Sequence, residues 1–158
     1  MCIIKSHLTK QFRQLTAIWG SVEVATLTTI DGRQVIFSPS SVTIITDYDV
    51  LTHAFVTSVY GVRNAVLQIS ETPQEFLVRI NIQNNIAQLT RPTGRRMWIN
   101  ANAVTTLSEP LPNSYVDGVK TVIEVGLMRL GVAESLEEAT RKINDHRATP
   151  LGVSRSSS

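Results

Sequence analysis

The residues whose type and spacing could do chemistry are arginines at two turns. Arg91, Arg95 and Arg96 flank Thr93-Gly94, and Arg33 holds the matching place beside Asp31-Gly32. Guanidinium groups gathered at a hairpin tip can clamp phosphates. Trp98 and Tyr115 can offer stacking surface for bases. Together, Arg33, Arg91, Arg95, Arg96, Trp98 and Tyr115 are the candidate contacts to nucleic acid or to a protein partner. Each has a plainer reading. A charged hairpin tip serves solubility, and Trp98 follows Met97 inside an apolar strand, where a tryptophan packs as core. Further cations sit at Lys5, Lys10 and Arg13, and at Arg141, Lys142 and Arg147, the latter set offset by Glu134, Glu137 and Glu138.

The remaining chemistry-bearing residues do not converge. Asp47 and Asp49 share one loop and Asp117 lies in the corresponding later loop. Paired carboxylates can hold a cation or exchange protons, but aspartate in a turn more commonly bonds its own backbone. A single cysteine, Cys2, excludes an intramolecular disulfide and a cysteine-based zinc cluster. His7, His53 and His146 are far apart and show no metal-ligand spacing. Nucleophile-elbow, P-loop and dinucleotide-binding glycine patterns are all missing from the sequence. No catalytic residue, metal or cofactor is expected.

The elements that must position the arginines come in two copies. At an offset of 62, VATLTTIDGRQVIFSPSSVTII (24–45) aligns with IAQLTRPTGRRMWINANAVTTL (86–107). Ala25, Leu27, Thr28, Gly32, Arg33, Val42 and Thr43 recur as Ala87, Leu89, Thr90, Gly94, Arg95, Val104 and Thr105. At an offset of 63, ETPQEFLVRI (71–80) aligns with ESLEEATRKI (134–143). Asp-Gly between alternating apolar runs predicts a hairpin. A third strand follows at 42–46 and 104–108, then more strand-forming sequence at 54–69 and 119–132, with Gly61 and Gly126 as candidate turns. Pro110 and Pro112 argue against strand or helix in the second long loop.

Each copy then shows a helix start. Thr72-Pro73-Gln74-Glu75 and Ser135-Leu136-Glu137-Glu138 both read as capping boxes. Phe76, Leu77 and Ile80, and later Leu136, Ala139 and Ile143, form the apolar stripes. An earlier amphipathic helix is expected over 6–19, with Leu8, Phe12, Leu15 and Trp19 on one face. The expected fold is α+β: an N-terminal helix (1–20), two tandem antiparallel β units each closed by a short helix (21–82 and 83–147), and a flexible tail (148–158).

The second copy carries a pattern that resembles the small FlbD-type family of flagellar and swarming-motility regulators. A glycine-basic turn (Gly94, Arg95) leads through an apolar strand to Asn100, Ala101 and Val104. The strand Thr121, Val122, Ile123 follows, then the helix start Glu134, Ser135, Glu137, Glu138. The first copy echoes it, with Ser38-Pro39 where Asn100-Ala101 stands. The resemblance covers about 50 residues and implies a small sheet with a helix. Small β units of this kind also point to a phage or accessory setting.

Composition completes the reading. Of 158 residues, 17 Val, 14 Ile and 17 Thr favour sheet. Charged residues make up 18%, net charge is +2, and a typical soluble domain has roughly 25% charged residues. Such a chain is neither a coiled coil nor disordered. Its apolar runs are too short to span a bilayer as helices, and MCIIKSHLTKQFRQL lacks the apolar core of a signal peptide. The expected location is cytoplasmic, or a virion. A surface rich in Thr, Ser, Asn and Gln, with open sheet edges, suits packing against other subunits. The expectation is a non-enzymatic interaction protein that self-associates or docks into a larger assembly; the alternative is a small nucleic-acid-binding regulator using arginine-tipped hairpins.

Overall fold

A computed structural model describes residues 23–47, 56–63 and 65–151. The expected N-terminal helix, Cys2, His7, Asp49, His53 and most of the tail lie outside these residues. What is described is α+β, with small antiparallel sheets and two α-helices.

The first hairpin joins β1 (Ala25–Thr28) to β2 (Gln34–Phe37). At its tip Gly32 takes φ +85°, a left-handed conformation in which a side chain is strained. The Thr29 amide donates to the Arg33 carbonyl at 2.9 Å and closes the loop. The second hairpin, β6 (Ile86–Thr90) and β7 (Arg96–Asn100), turns the same way, with Gly94 at φ +82° and the Arg91 amide on the Arg95 carbonyl at 2.7 Å. Each hairpin runs into one turn of 3-10 helix, Pro39–Ser41 or Ala101–Ala103.

Three strands follow each turn. They are β3 (Ile44–Thr46), β4 (Thr57–Tyr60) and β5 (Leu67–Ile69), then β8 (Val104–Ser108), β9 (Thr121–Val125) and β10 (Met128–Val132). Each set ends in a helix, α1 (Pro73–Arg79) or α2 (Leu136–Asn144). At α1 the expected capping box is complete: the Thr72 hydroxyl accepts from the Glu75 amide, and the Glu75 carboxylate accepts from the Thr72 amide at 2.9 Å. At α2 only the first half of the box forms. The Ser135 hydroxyl accepts from the Glu138 amide at 3.2 Å, while the Glu138 carboxylate turns to Lys142 Nζ at 3.3 Å. A lysine four residues on competes for that carboxylate.

The strands close across each half. The Ile30 amide bonds the Gln68 carbonyl at 2.9 Å, tying the end of β1 to β5. The Ala133 amide bonds the Thr90 carbonyl at 2.9 Å, tying β6 to the end of β10. This leaves β2 and β3 as the edges of the first half, and β7 and β8 as those of the second.

One pair of edges meets within the chain. β3 pairs antiparallel with β7, with Ile44 opposite Ile99, Ile45 opposite Trp98 and Thr46 opposite Met97. The resulting five-stranded sheet, β5-β4-β3-β7-β6, crosses the boundary expected between residues 82 and 83. Because side chains alternate along a strand, β3 and β7 each serve two cores. Ile45 and Trp98 enter the first, with Leu27, Phe37, Val59 and Phe76. Ile44, Met97 and Ile99 enter the second, with Leu89, Ile123, Ala139 and Ile143.

Gly61 pins the start of the loop after β4. It takes φ +96°, and a Cβ there would overlap the Ser41 carbonyl oxygen. Strain and overlap act together, so Gly61→Ala is expected to cost about 2–3 kcal/mol, read as a lower denaturation midpoint.

Candidate functional site

The two arginine turns share a backbone but differ in charge. In the first, Arg33 Nε lies 2.7 Å from Asp31 Oδ2, with both side chains more than half exposed. The Thr29 hydroxyl donates to Asp31, and this bond, with Arg33 beside it, holds the Asp31 carboxyl below its ordinary range. In the second turn Thr93 stands in the place of Asp31, so that carboxylate has no counterpart there. Arg96 is exposed, and Arg91 and Arg95 are half-buried.

The aromatic candidates separate. Trp98 is only 6% exposed, and its ring belongs to the first core. It is a packing residue rather than a stacking platform, because pairing with β3 turns its face onto the first half. Tyr115 is 36% exposed on the long loop after β8. That loop returns to the arginine turn, since a Cβ on Gly118 would stand 3.6 Å from the Cβ of Pro92. The described residues therefore bring Arg91, Arg95 and Arg96 together with one loop, but bury the tryptophan meant to serve them.

A pair of ionic clasps was not read from the sequence. Glu134, 6% exposed, accepts from the Thr90 amide at 3.0 Å and from Lys142 Nζ at 3.0 Å. Burial raises its carboxyl, but the Lys142 and Thr90 bonds outweigh that and hold it below the ordinary glutamate range. Lys142 is raised in turn: its own desolvation opposes the charge, and Glu134 more than restores it. In the first half Glu71 pairs with Arg79 at 2.7 Å, and Arg79 also donates to the Thr26 carbonyl and lies 5.3 Å from the centre of the Phe76 ring. The signal was present. The offset that sets Glu71 on Glu134 also sets Arg79 on Lys142. Both clasps tie the end of a helix to its sheet, through the Thr26 carbonyl in the first half and the Thr90 amide in the second.

The carboxylates of the loops do not gather. Asp47 Oδ1 is buried without a partner among the described residues, and Asp117 is exposed. Among the described residues no three His, Cys, Asp or Glu side chains come close enough to share a metal ion. No helix there is long and apolar enough to cross a membrane.

The other surface feature is apolar. Val24 is 62% and Ile36 72% exposed on the outer side of the first hairpin. Their counterparts in the second hairpin, Ile86 and Trp98, are each 6% exposed, because the first half covers them. Comparison of the chain with protein-family models, with curated proteins and with solved structures finds no match.

Proposed function

We propose that this chain is a non-enzymatic interaction protein, built from a duplicated β-plus-helix unit, that packs into a homo-oligomer or larger assembly such as a virion. The duplication is supported by recurrence of whole elements. Pro39–Ser41 and Ala101–Ala103 differ by 62 positions, and the N-caps Thr72 and Ser135 by 63.

The observation that carries the assembly reading is the exposure of Val24 and Ile36 on a hairpin whose twin is covered. Covering two such side chains contributes roughly 1.5–3 kcal/mol each. The test is the mass of the purified chain at micromolar concentration, by light scattering or sedimentation. A mass above the 17.5 kDa of one chain is expected. A uniform monomer that captures no partner overturns the reading.

The nucleic-acid alternative draws on the second turn, where three arginines, Arg91, Arg95 and Arg96, gather around Thr93-Gly94. On that reading, binding to DNA weakens steeply with salt, and replacing Arg95 and Arg96 by alanine lowers the salt slope by about two. Binding unchanged by both substitutions removes it.

A further inference from the structure

We infer that β2 of one copy of the chain pairs with β8 of another, head to tail, in the register that joins β3 to β7 inside the chain. The inference rests on the assembly reading above and names the surfaces that would build it.

The internal junction is the template. β3 is bonded to β4 on one side and to β7 on the other. Its counterpart β8, 62 positions later, is bonded to β9, and among the described residues its second side has no strand. β7 is likewise bonded to β6 and β3, while its counterpart β2 is bonded to β1 alone among those residues. Two of the four edges have met, and the two left over are the same kinds of edge. Open edges carry rows of backbone donors and acceptors that favour a strand as partner. Carrying the β3–β7 register to β8 and β2 sets Thr106 opposite Phe37, Leu107 opposite Ile36, and Ser108 opposite Val35.

The side chains agree with that register. Ile45 meets Trp98 across the internal junction. The corresponding external pair, Leu107 and Ile36, is also apolar, and Ile36 is 72% exposed. Trp98, the counterpart of Ile36, is 6% exposed and shows how deeply that position sinks once the edge is met.

One bond of the template has no external equivalent. Asn100 Nδ2 donates to the Val42 carbonyl at 3.0 Å. Ser38 replaces that asparagine, and the matching acceptor, the Val104 carbonyl, already takes Arg147 at 2.6 Å. The external junction therefore lacks a buried polar bond and leaves no unsatisfied acceptor in its place. It is weaker than the internal one and suited to reversible assembly. Because the two surfaces differ, repetition gives a ring or a filament rather than a closed twofold dimer. The rival occupant is residues 1–22 of the same chain, folded over Val24 and Ile36.

The test is crosslinking between single variants. Ile36→Cys and Leu107→Cys are each made with Cys2→Ser, mixed in equal amounts, and treated with a short bismaleimide. A covalent dimer is expected in the mixture at about ten times the yield of either variant alone, because the junction raises the local thiol concentration. Ile36→Lys without crosslinker is expected to return the chain to monomer. An unmodified chain that is oligomeric, but links neither preferentially in the mixture nor dissociates with Ile36→Lys, overturns the inference and leaves the assembly reading standing. A linked dimer from Ile36→Cys alone overturns it in favour of a twofold contact. A chain monomeric throughout overturns the inference, and one that also captures no partner overturns the assembly reading with it.

Discussion

Replacing Phe76 by alanine is expected to lower the melting midpoint of the chain by about 10 °C. Phe76 is fully buried at the centre of α1. Its ring lies 6.2 Å from that of Phe37 at an interplanar angle of 23°, and the Arg79 guanidinium lies over the Phe76 ring, 5.3 Å from its centre. Truncation to alanine removes the transfer energy of the ring and leaves a cavity that rigid strands cannot fill, together about 3–5 kcal/mol. A chain of this length shifts by roughly 2–4 °C per kcal/mol. The control is Val78→Ala on the same helix. Val78 is 67% exposed, so its truncation should stay within about 0.5 kcal/mol. Equal losses in the two variants would mean that α1 does not dock on the first core.

Removing the Glu134 carboxylate is expected to cost about 2–4 kcal/mol, whereas the same change at Glu71 should cost no more than about 1 kcal/mol. The two glutamates occupy equivalent places and face equivalent cations. They differ in solvent: the Glu134 side chain is 5% exposed and that of Glu71 34%. Glu134→Ala strands the Thr90 amide and leaves Lys142 only the more exposed Glu138 carboxylate at 3.3 Å; Glu71→Ala leaves Arg79 bonded to the Thr26 carbonyl, with water at hand. Urea denaturation of both variants gives the comparison. The pH dependence follows from the same clasp. The carboxyl of Glu134 is lower in the folded chain than in the unfolded one, so its stabilisation is present above the ordinary glutamate range and is lost as pH falls through the folded value. Lys142 is raised in the folded chain, so its share is present below the ordinary lysine range and is lost only as pH rises through its higher folded value. Glu134→Gln should therefore flatten the acid limb of stability against pH. An unchanged acid limb would show that the clasp is not coupled to folding.

The clasps also show why some of the candidate surface escaped a reading of residues. Lys142 was visible as a cation on a helix and Arg79 lies in the aligned segment 71–80, but a cation eight positions from a glutamate is not a local pair until a helix turns it back. Trp98 is the converse. Its chemistry suggested a stacking surface, and its alternation in β7 admitted either face. The partner strand, with Ile45 more than 50 positions away, turned it inward. Asp47 and Asp117 remained turn-region residues on separate loops.

The sequence by itself determined the local grammar of this protein. Gly32 and Gly94 set the two hairpin tips because only glycine takes positive φ without strain, and Thr72 and Ser135 start the two helices because a hydroxyl there meets an orphan amide. The repeated offset follows from the same residues. Only the tertiary structure decided that β3 crosses to β7, that Trp98 lies in the first core while Ile36 stays in solvent, and that Glu134 is buried while Glu71 is not. Turns and caps are settled by neighbours within a few positions. Which strand edge meets which depends on contacts distant in the chain, so two segments with nearly the same local pattern acquire different surroundings.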